Sequence, residues 1–117
     1  MNYNEPVHSN KLENNQENLI EQRIINEIIH LIHMERSPYR DWYIGIASNP
    51  HTQLFREHNV DLNNSWWVIK KADNAEEAGR IQRAIIREYG TDGGNGGHDE
   101  RSIYVYAYKK TGTTRQP

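Results

Sequence analysis

Hydrophobic positions early in the chain recur at the spacing of an amphipathic helix. Between residues 19 and 35 they lie three or four residues apart, which puts them on one helical face. These positions are Ile20, Ile24, Ile28, Leu31 and Ile32, with Ile25 and Ile29 widening the stripe. Such an apolar helix must be covered, either by the rest of its own domain or by a second copy of the chain. The Ser37-Pro38 pair ends it, because a residue before proline avoids helical backbone.

Three later segments have the pattern of β-strands. Residues 41–48 alternate between two faces, residues 65–72 are rich in aromatic and β-branched side chains, and residues 102–110 combine both signals. A row of tyrosines shares one face of the last segment. These tyrosines are Tyr104, Tyr106 and Tyr108. The row either stacks on nucleobases or is buried under the N-terminal helix.

Local capping signals place two further helices between these strands. The Asn49-Pro50 pair is typical of an N-cap followed by proline at the first helical position, and it predicts a short helix. The second helix has Asn74 as its N-cap, a capping box completed by Glu77, and Gly90 as its terminator.

The order helix, strand, helix, strand, helix, strand predicts an α+β fold. We expect a small three-stranded sheet with two packed helices and the long N-terminal helix. Residues 1–18 are polar and aperiodic, which is typical of a disordered tail, and residues 111–117 have the same character. One domain is therefore expected over residues 19–110, a length sufficient for a single small core.

Composition narrows the classes of function. Only 35% of the 117 residues are hydrophobic, no apolar run is long enough to span a membrane, and no apolar signal core begins the chain. Cysteine is absent, so disulfides, thiolate metal sites and cysteine nucleophiles are excluded. We therefore expect a cytoplasmic protein. The net charge of −2 lacks the basic excess that is usual in proteins gripping long duplex DNA.

The segment DWYIGIASNPHTQLFREHN resembles the second signature of the GIY-YIG nuclease family. In that family a strand ending in Tyr-Ile-Gly leads into a helix of the form Asn-Pro-x-x-Arg-Leu-x-x-x-His. The matching residues are Tyr43-Ile44-Gly45, Asn49-Pro50, Leu54 and His58, followed by a strand and a helix containing Glu77-Ala78. The resemblance covers residues 41–89 and implies a GIY-YIG-like fold with a metal-dependent site for phosphodiester cleavage.

Members of this family use a tyrosine to activate water, an arginine to hold the phosphate and a glutamate to bind magnesium. In this chain the arginine position is Gln53 and the glutamate position is Gln82, and a neutral amide is a poor ligand for magnesium. The family's first signature, Gly-Ile-Tyr, is missing upstream of Tyr43. The C-terminal strand could replace the missing strand beside Tyr43, as in a circular permutation, with Tyr104 or Tyr106 in the place of the lost tyrosine.

These departures favour a catalytically degenerate binding module over an enzyme. The expected ligand-binding residues are Tyr43, Gln53, Arg56, His58, Gln82, Gly94, Asn95, Tyr104 and Tyr106. Amides in place of arginine and glutamate suit recognition by hydrogen bonds better than they suit phosphoryl transfer. The expected partner is a nucleotide, a short nucleic acid or a protein, with no membrane and no cofactor involved.

Two alternatives follow from the same residues. The first is an active metal-dependent nuclease that uses magnesium and draws its metal ligands from the glycine-rich loop, residues 91–101. Its catalytic residues are Tyr43, Tyr104 and His58, and its metal ligands are Asp92, His98 and Asp99. The loop itself is either an anion-binding nest or a wide connector. The second alternative is a protein-interaction or inhibitor module that forms a homodimer through helix 19–35.

Overall fold

The computed structural model describes residues 5–94 and 99–116, with side-chain environments from residue 19 onward. Within these ranges the elements are α1 (Glu5–Glu35), β1 (Trp42–Ala47), β2 (Trp67–Lys71), α2 (Ala75–Tyr89), β3 (Asp92–Gly93) and β4 (Tyr104–Lys109). A π-helical turn, Thr52–Glu57, lies between β1 and β2 and is hereafter the π-turn. The architecture is α+β, as the order of the sequence patterns predicts.

The four strands form one mixed sheet in the order β2-β4-β1-β3. β4 lies between β1 and β2 and runs antiparallel to both, so that Tyr106 is opposite Gly45 of β1 and Ile69 of β2. β3 is parallel to β1 and pairs Gly93 with Ile44. The predicted three-stranded sheet is therefore incomplete by one short strand.

Close backbone approach at Gly93 explains this additional strand. A Cβ atom on Gly93 would lie 2.3 Å from Cδ1 of Ile86 and 2.9 Å from the carbonyl oxygen of Ile44. Only glycine lets the chain after α2 come so near to β1. A strand of two residues carries no alternation, which is why the hydrophobic pattern does not predict it.

α1 and α2 cover one face of the sheet and form the larger core with it. Ile28 and Ile32 of α1 are fully buried in the same cluster as Trp42 and Ile44 of β1 and Val105 of β4. The chain's own sheet and α2 therefore provide the cover that the apolar stripe of α1 requires.

The opposite face of the sheet carries the tyrosine row and forms a second core. Tyr106 and Tyr108 are buried there with Tyr43 of β1 and Leu54 of the π-turn. The prediction that the N-terminal helix covers these tyrosines is wrong, because α1 packs on the other face. Their burial also leaves Tyr106 and Tyr108 without a free ring face for base stacking.

The described structure continues beyond the predicted domain on both sides. α1 begins at Glu5, inside the segment predicted to be a disordered tail. Residues 111–116 lie against the π-turn, where the Arg115 N–H donates to the His58 carbonyl at 2.8 Å. Apolar periodicity is weak in both segments, so the sequence pattern misses them. No helix in the described ranges is long and apolar enough to cross a membrane.

Both ends of α2 follow the predicted capping signals. The Glu77 N–H donates to Oδ1 of Asn74 at 2.8 Å, while the Glu77 carboxylate accepts from the Asp73 N–H at 2.7 Å. Gly90 closes the helix in the left-handed conformation, with a φ of 80°. Between these caps, Ala78, Ile81 and Ile85 pack into the core under the sheet, and the neighbouring Gln82 is buried with them.

Candidate functional site

Three tyrosines from adjacent strands meet on the face of the sheet that the π-turn covers. The register pairs Tyr43 with Tyr108 and Gly45 with Tyr106. The Tyr43 ring stacks on that of Tyr108, with their centroids 5.2 Å apart. Gly45 makes room for Tyr106, since a Cβ there would lie 2.2 Å from Cζ of the Tyr106 ring. The glycine of the Tyr-Ile-Gly tripeptide thus leaves space for an aromatic side chain of β4.

The π-turn brings His58 over these tyrosines. The His58 N–H donates to the Gln53 carbonyl at 2.8 Å, a bond spanning five residues where an α-helix spans four. Asn59 then adopts a φ of 58°, which turns the chain away. The His58 ring centroid lies 4.7 Å from that of Tyr43. The sequence predicts a short helix here, but its widening is not visible in the hydrophobic pattern.

The hydrogen bonds of His58 define the state of its imidazole. Nδ1 lies 2.7 Å from the Arg115 carbonyl oxygen, and Nε2 lies 2.8 Å from the Tyr106 hydroxyl. A carbonyl oxygen only accepts, so Nδ1 carries the proton and Nε2 accepts from Tyr106. The Tyr108 hydroxyl is 2.9 Å from Nδ1 and donates to Oε1 of Gln116 at 2.8 Å. Both ring nitrogens are therefore satisfied in the neutral form.

Burial keeps this network uncharged. It lowers the pKa of His58, against the opposing effect of the hydrogen bond to the Arg115 carbonyl. It raises the pKa of Tyr106 and of Tyr108, and it raises that of Tyr43 with a further contribution from the negative charge of Asp92. The tyrosine hydroxyls thus stay protonated at neutral pH. A hydroxyl in that state donates hydrogen bonds and is a poor base for activating water.

Gln82 and Gly94 lie on the α2 side of the sheet, away from His58. Nε2 of Gln82 donates to the carbonyl oxygens of Ile44 at 3.1 Å and Gly94 at 2.9 Å. The amide thereby ties α2 to β1 and to the residue after β3. A glutamate has no N–H to donate to these carbonyls, so the neutral side chain at this position serves the local structure.

Three of the remaining ligand-binding candidates, Gln53, Arg56 and Tyr104, lie in the described structure and differ in burial and in partners. Gln53 is half-buried at the start of the π-turn, where its carbonyl binds the His58 N–H. Arg56 is exposed, and its carbonyl accepts from the Arg115 guanidinium at 3.2 Å. Tyr104 is half-buried at the start of β4, where it pairs with Ala47. Asn95 lies outside the described residues.

The predicted metal ligands have other partners. Oδ1 of Asp92 accepts from the Gly93 N–H, and its Oδ2 lies 3.2 Å from Nζ of Lys110. Oδ1 of Asp99 accepts from the Arg101 N–H at 2.9 Å. His98 lies outside the described residues. Over the ranges that the structure covers, no three histidine, aspartate or glutamate side chains are grouped to hold a metal ion.

A groove of about 850 Å³ runs between α1 and the edge strand β2. The pattern of hydrophobic positions does not predict it. Its lining includes Leu19, Leu31 and Met34 of α1 and Val68 of β2, with polar residues interspersed. Leu19 and Met34 are exposed. Their apolar character was a visible signal, but only the packing of α1 decides which apolar residues of the helix stay outside the core.

The structure unites one subset of the predicted site. Tyr43, His58 and Tyr106 form a single buried cluster, in which His58 is hydrogen-bonded to Tyr106 and the Tyr43 ring contacts both rings. Gln53 and Arg56 border this cluster, whereas Gln82 makes separate hydrogen bonds to Ile44 and Gly94. Comparisons with protein-family models, with curated proteins and with solved structures find no match. Function is therefore inferred from the geometry of the network.

Proposed function

We propose that the chain is a catalytically degenerate, GIY-YIG-like binding module whose ligand is a segment of a protein partner. The arrangement of the sheet supports the scaffold. β4 lies antiparallel beside β1, where the resemblance requires the missing first strand. Its Tyr106 reaches the same network as Tyr43, as a circularly permuted relative of the family would need.

The neutral hydrogen-bonding network around His58 is the observation that carries the proposal. Tyr43, His58 and Tyr106 offer hydroxyl and imidazole groups whose ordinary state at neutral pH is uncharged. Phosphoryl transfer relies on fixed cations and metal ions that stabilise developing negative charge. A neutral network instead recognises donors and acceptors of similar strength, such as peptide groups.

The overall charge favours a protein ligand over a nucleic acid. The chain carries a net charge of −2, so it gains little from the counterion release that drives nucleic-acid binding. Gln53 stands where the family has its phosphate-binding arginine. A nucleotide or short oligonucleotide is therefore the less favoured ligand, and its binding is an outcome that the following experiment detects.

Two assays on the full chain test this function. Incubation with Mg²⁺ or Mn²⁺ and single-stranded DNA, duplex DNA or RNA should give no cleavage. Cleavage that Tyr43→Phe abolishes would establish the nuclease instead. Heptapeptides selected from a random library should bind the wild type about tenfold more tightly than Tyr108→Phe, because the Tyr108 hydroxyl donates outward to Oε1 of Gln116 and a bound peptide would accept the same hydrogen bond.

Tyr104→Phe is the matched control for the peptide assay, because its hydroxyl lies on the same strand outside the His58 network. Its affinity for the selected peptides should equal that of the wild type. Peptides that bind all three proteins equally, or mononucleotides such as AMP that compete with them, would contradict a protein ligand at this network.

The groove between α1 and β2 supports a second candidate, a protein-interaction module that forms a homodimer. The whole apolar stripe of helix 19–35 cannot bind a second copy, because Ile24 and Ile28 are buried in the chain's own core. The surface that remains is the groove, with Leu19 and Met34 exposed beside an edge strand.

Light scattering distinguishes this candidate. A dimer through the groove predicts a mass twice that of the 13.8 kDa chain, and Leu19→Glu with Met34→Glu should return it to that of one chain. Leu62→Glu is the matched control, since Leu62 is equally apolar and exposed but lies in the loop before β2. A wild-type mass of one chain would reject the dimer.

A further inference from the structure

Residues 111–116 close the His58 network from the solvent side. A turn stabilised by the threonine side chains begins the segment, in which the Thr111 N–H donates to Oγ1 of Thr114 at 3.0 Å. The chain then runs past the π-turn, where Nδ2 of Asn59 donates to the Thr113 carbonyl at 3.0 Å. The segment thereby reaches His58 and Tyr108 from outside the sheet.

Arg115 binds His58 through both of its backbone polar groups. Its N–H donates to the His58 carbonyl at 2.8 Å, and its carbonyl oxygen accepts from Nδ1 of His58 at 2.7 Å. The next residue, Gln116, accepts from the Tyr108 hydroxyl. Two successive residues thus present a peptide group and a side-chain amide to the network, as an extended peptide ligand does.

Residues 111–116 differ from the core because they bury few apolar groups. The residues of this segment are exposed, apart from the half-buried Thr114, whereas His58 and Tyr108 beneath it are buried. Its attachment consists of hydrogen bonds with little apolar contact. Segments with few buried apolar contacts open at a lower free energy than the global unfolding of their domain.

We propose that residues 111–116 are a displaceable occupant of the His58 network, and that the ligand exchanging with them is an extended peptide segment of a partner protein. This inference rests on the proposed function and adds its regulation. The ligand supplies the same groups that the segment supplies: a backbone N–H and carbonyl at one residue, and a side-chain acceptor at the next.

Occupation of the His58 network by residues 111–116, hereafter self-occupancy, sets the apparent affinity for the peptide ligand. Only molecules in which the segment has opened are competent to bind, so the observed dissociation constant is the intrinsic one divided by the open fraction. Substitutions that weaken the hold of the segment without touching the network therefore tighten the binding of a peptide added in trans.

Hydrogen exchange on the wild-type full chain tests the opening directly. The Arg115 amide should exchange about a hundredfold faster than the Ala107 amide in the middle of β4, because opening of the segment leaves the sheet intact. Equal protection of the two amides would show that the segment unfolds only with the core, and would overturn the proposal without any variant.

A peptide added in trans tests the exchange. The probe is a fluorescein-labelled heptapeptide with the sequence of residues 111–117, TGTTRQP. The full-chain variant Thr114→Ala with Gln116→Ala changes only the segment: it lacks the acceptor for the Thr111 N–H and the acceptor for the Tyr108 hydroxyl, whereas the probe keeps both. It should bind the probe about tenfold more tightly than the wild type does.

Gln22→Ala is the matched control, because Gln22 is also an exposed glutamine but lies on α1, where its side chain bonds to Asn26. It should bind the probe like the wild type. An unchanged affinity in the weakened variant would overturn the exchange. Nuclease activity would reject the proposed function and leave the exchange result standing, whereas equal amide protection would reject self-occupancy and leave the library-peptide result standing.

Discussion

Nε2 of His58 accepts a hydrogen bond from the Tyr106 hydroxyl at 2.8 Å, although 48 positions separate the two residues in the chain. The bond connects the π-turn to the central strand of the sheet, and both side chains are buried. It makes His58 a neutral acceptor at one nitrogen while the other nitrogen faces residues 111–116. One imidazole therefore connects the π-turn, the sheet and residues 111–116.

Removing the hydroxyl of Tyr106 should destabilise the domain. Tyr106→Phe keeps the ring above Gly45 but leaves Nε2 of His58 buried without a donor, which costs about 1–3 kcal/mol of unfolding free energy. Urea denaturation measures the loss. Tyr104→Phe is the control and should change stability by less than about 0.5 kcal/mol, since Tyr104 lies outside the network. Equal effects of the two substitutions would contradict the assigned bond.

His58 should make stability fall in mild acid. Its pKa in the folded chain lies below the unfolded value of about 6.5, so the unfolded state takes up the proton first as the pH decreases. Its contribution to the unfolding free energy is complete above the unfolded pKa. It is lost as the pH falls towards the folded pKa, with a slope of at most about 1.4 kcal/mol per pH unit.

Urea midpoints between pH 7.5 and 5.5 measure this dependence. His58→Gln should be less stable than the wild type at pH 7.5 and should have a flatter profile over that window. The exposed His30 provides the comparison, and His30→Gln should keep the wild-type profile. A profile for His58→Gln as steep as that of the wild type would assign the pH dependence to other groups.

Introducing an acidic residue at position 82 should weaken the fold. Gln82→Glu removes both N–H donors from the carbonyl oxygens of Ile44 and Gly94 and places a carboxylate beside them. The expected loss is at least about 2 kcal/mol of unfolding free energy, because two acceptors lose their partner at a buried position. Gln22→Glu on the exposed side of α1 should be close to neutral in the same denaturation experiment.

Two glycine substitutions should have opposite effects. Gly45→Ala puts a Cβ 2.2 Å from Cζ of the Tyr106 ring, which forces that ring out of its seat and costs about 3 kcal/mol. Gly79→Ala in α2 meets only Nη1 of the flexible Arg83 at 3.1 Å. It should gain up to about 1 kcal/mol from better helix propensity. Thermal unfolding of both variants checks the contrast.

The helices and three longer strands could be predicted because their signals are local. Asn74, Glu77 and Gly90 fix the ends of α2 through contacts within a few residues, and alternation marks β1 and β4. The π-turn could not be predicted, since its wider hydrogen bonds depend on His58 reaching tyrosines 48 and 50 residues away. The position of residues 111–116 could not be predicted for a related reason. Their hydrogen-bond partners include side chains of His58, Asn59 and Tyr108, and a pattern of apolar positions does not reveal such contacts.

The candidate site was predictable in composition but not in arrangement. The family resemblance selects Tyr43 and His58, and the idea of a permuted strand selects Tyr104 or Tyr106. Of these two, Tyr106 meets Tyr43 and His58 in the fold. Gln82 was grouped with them by the same resemblance, but α2 packs on the other face of the sheet and directs its amide to backbone carbonyls. The side of the sheet on which a helix packs is a tertiary property that one-dimensional spacing does not encode.

The position of β4 in the sheet also determines when the sheet can be completed during synthesis. Among the strands of the described residues, β2 pairs with β4 alone, and β1 pairs with β4 over six residues and with β3 over two. Until residues 104–109 leave the ribosome, β2 therefore lacks this partner and β1 has only the short ladder with β3. The ladders that β4 forms with β1 and β2 therefore close loops of long sequence separation and cannot be completed before residues 104–109 are synthesised.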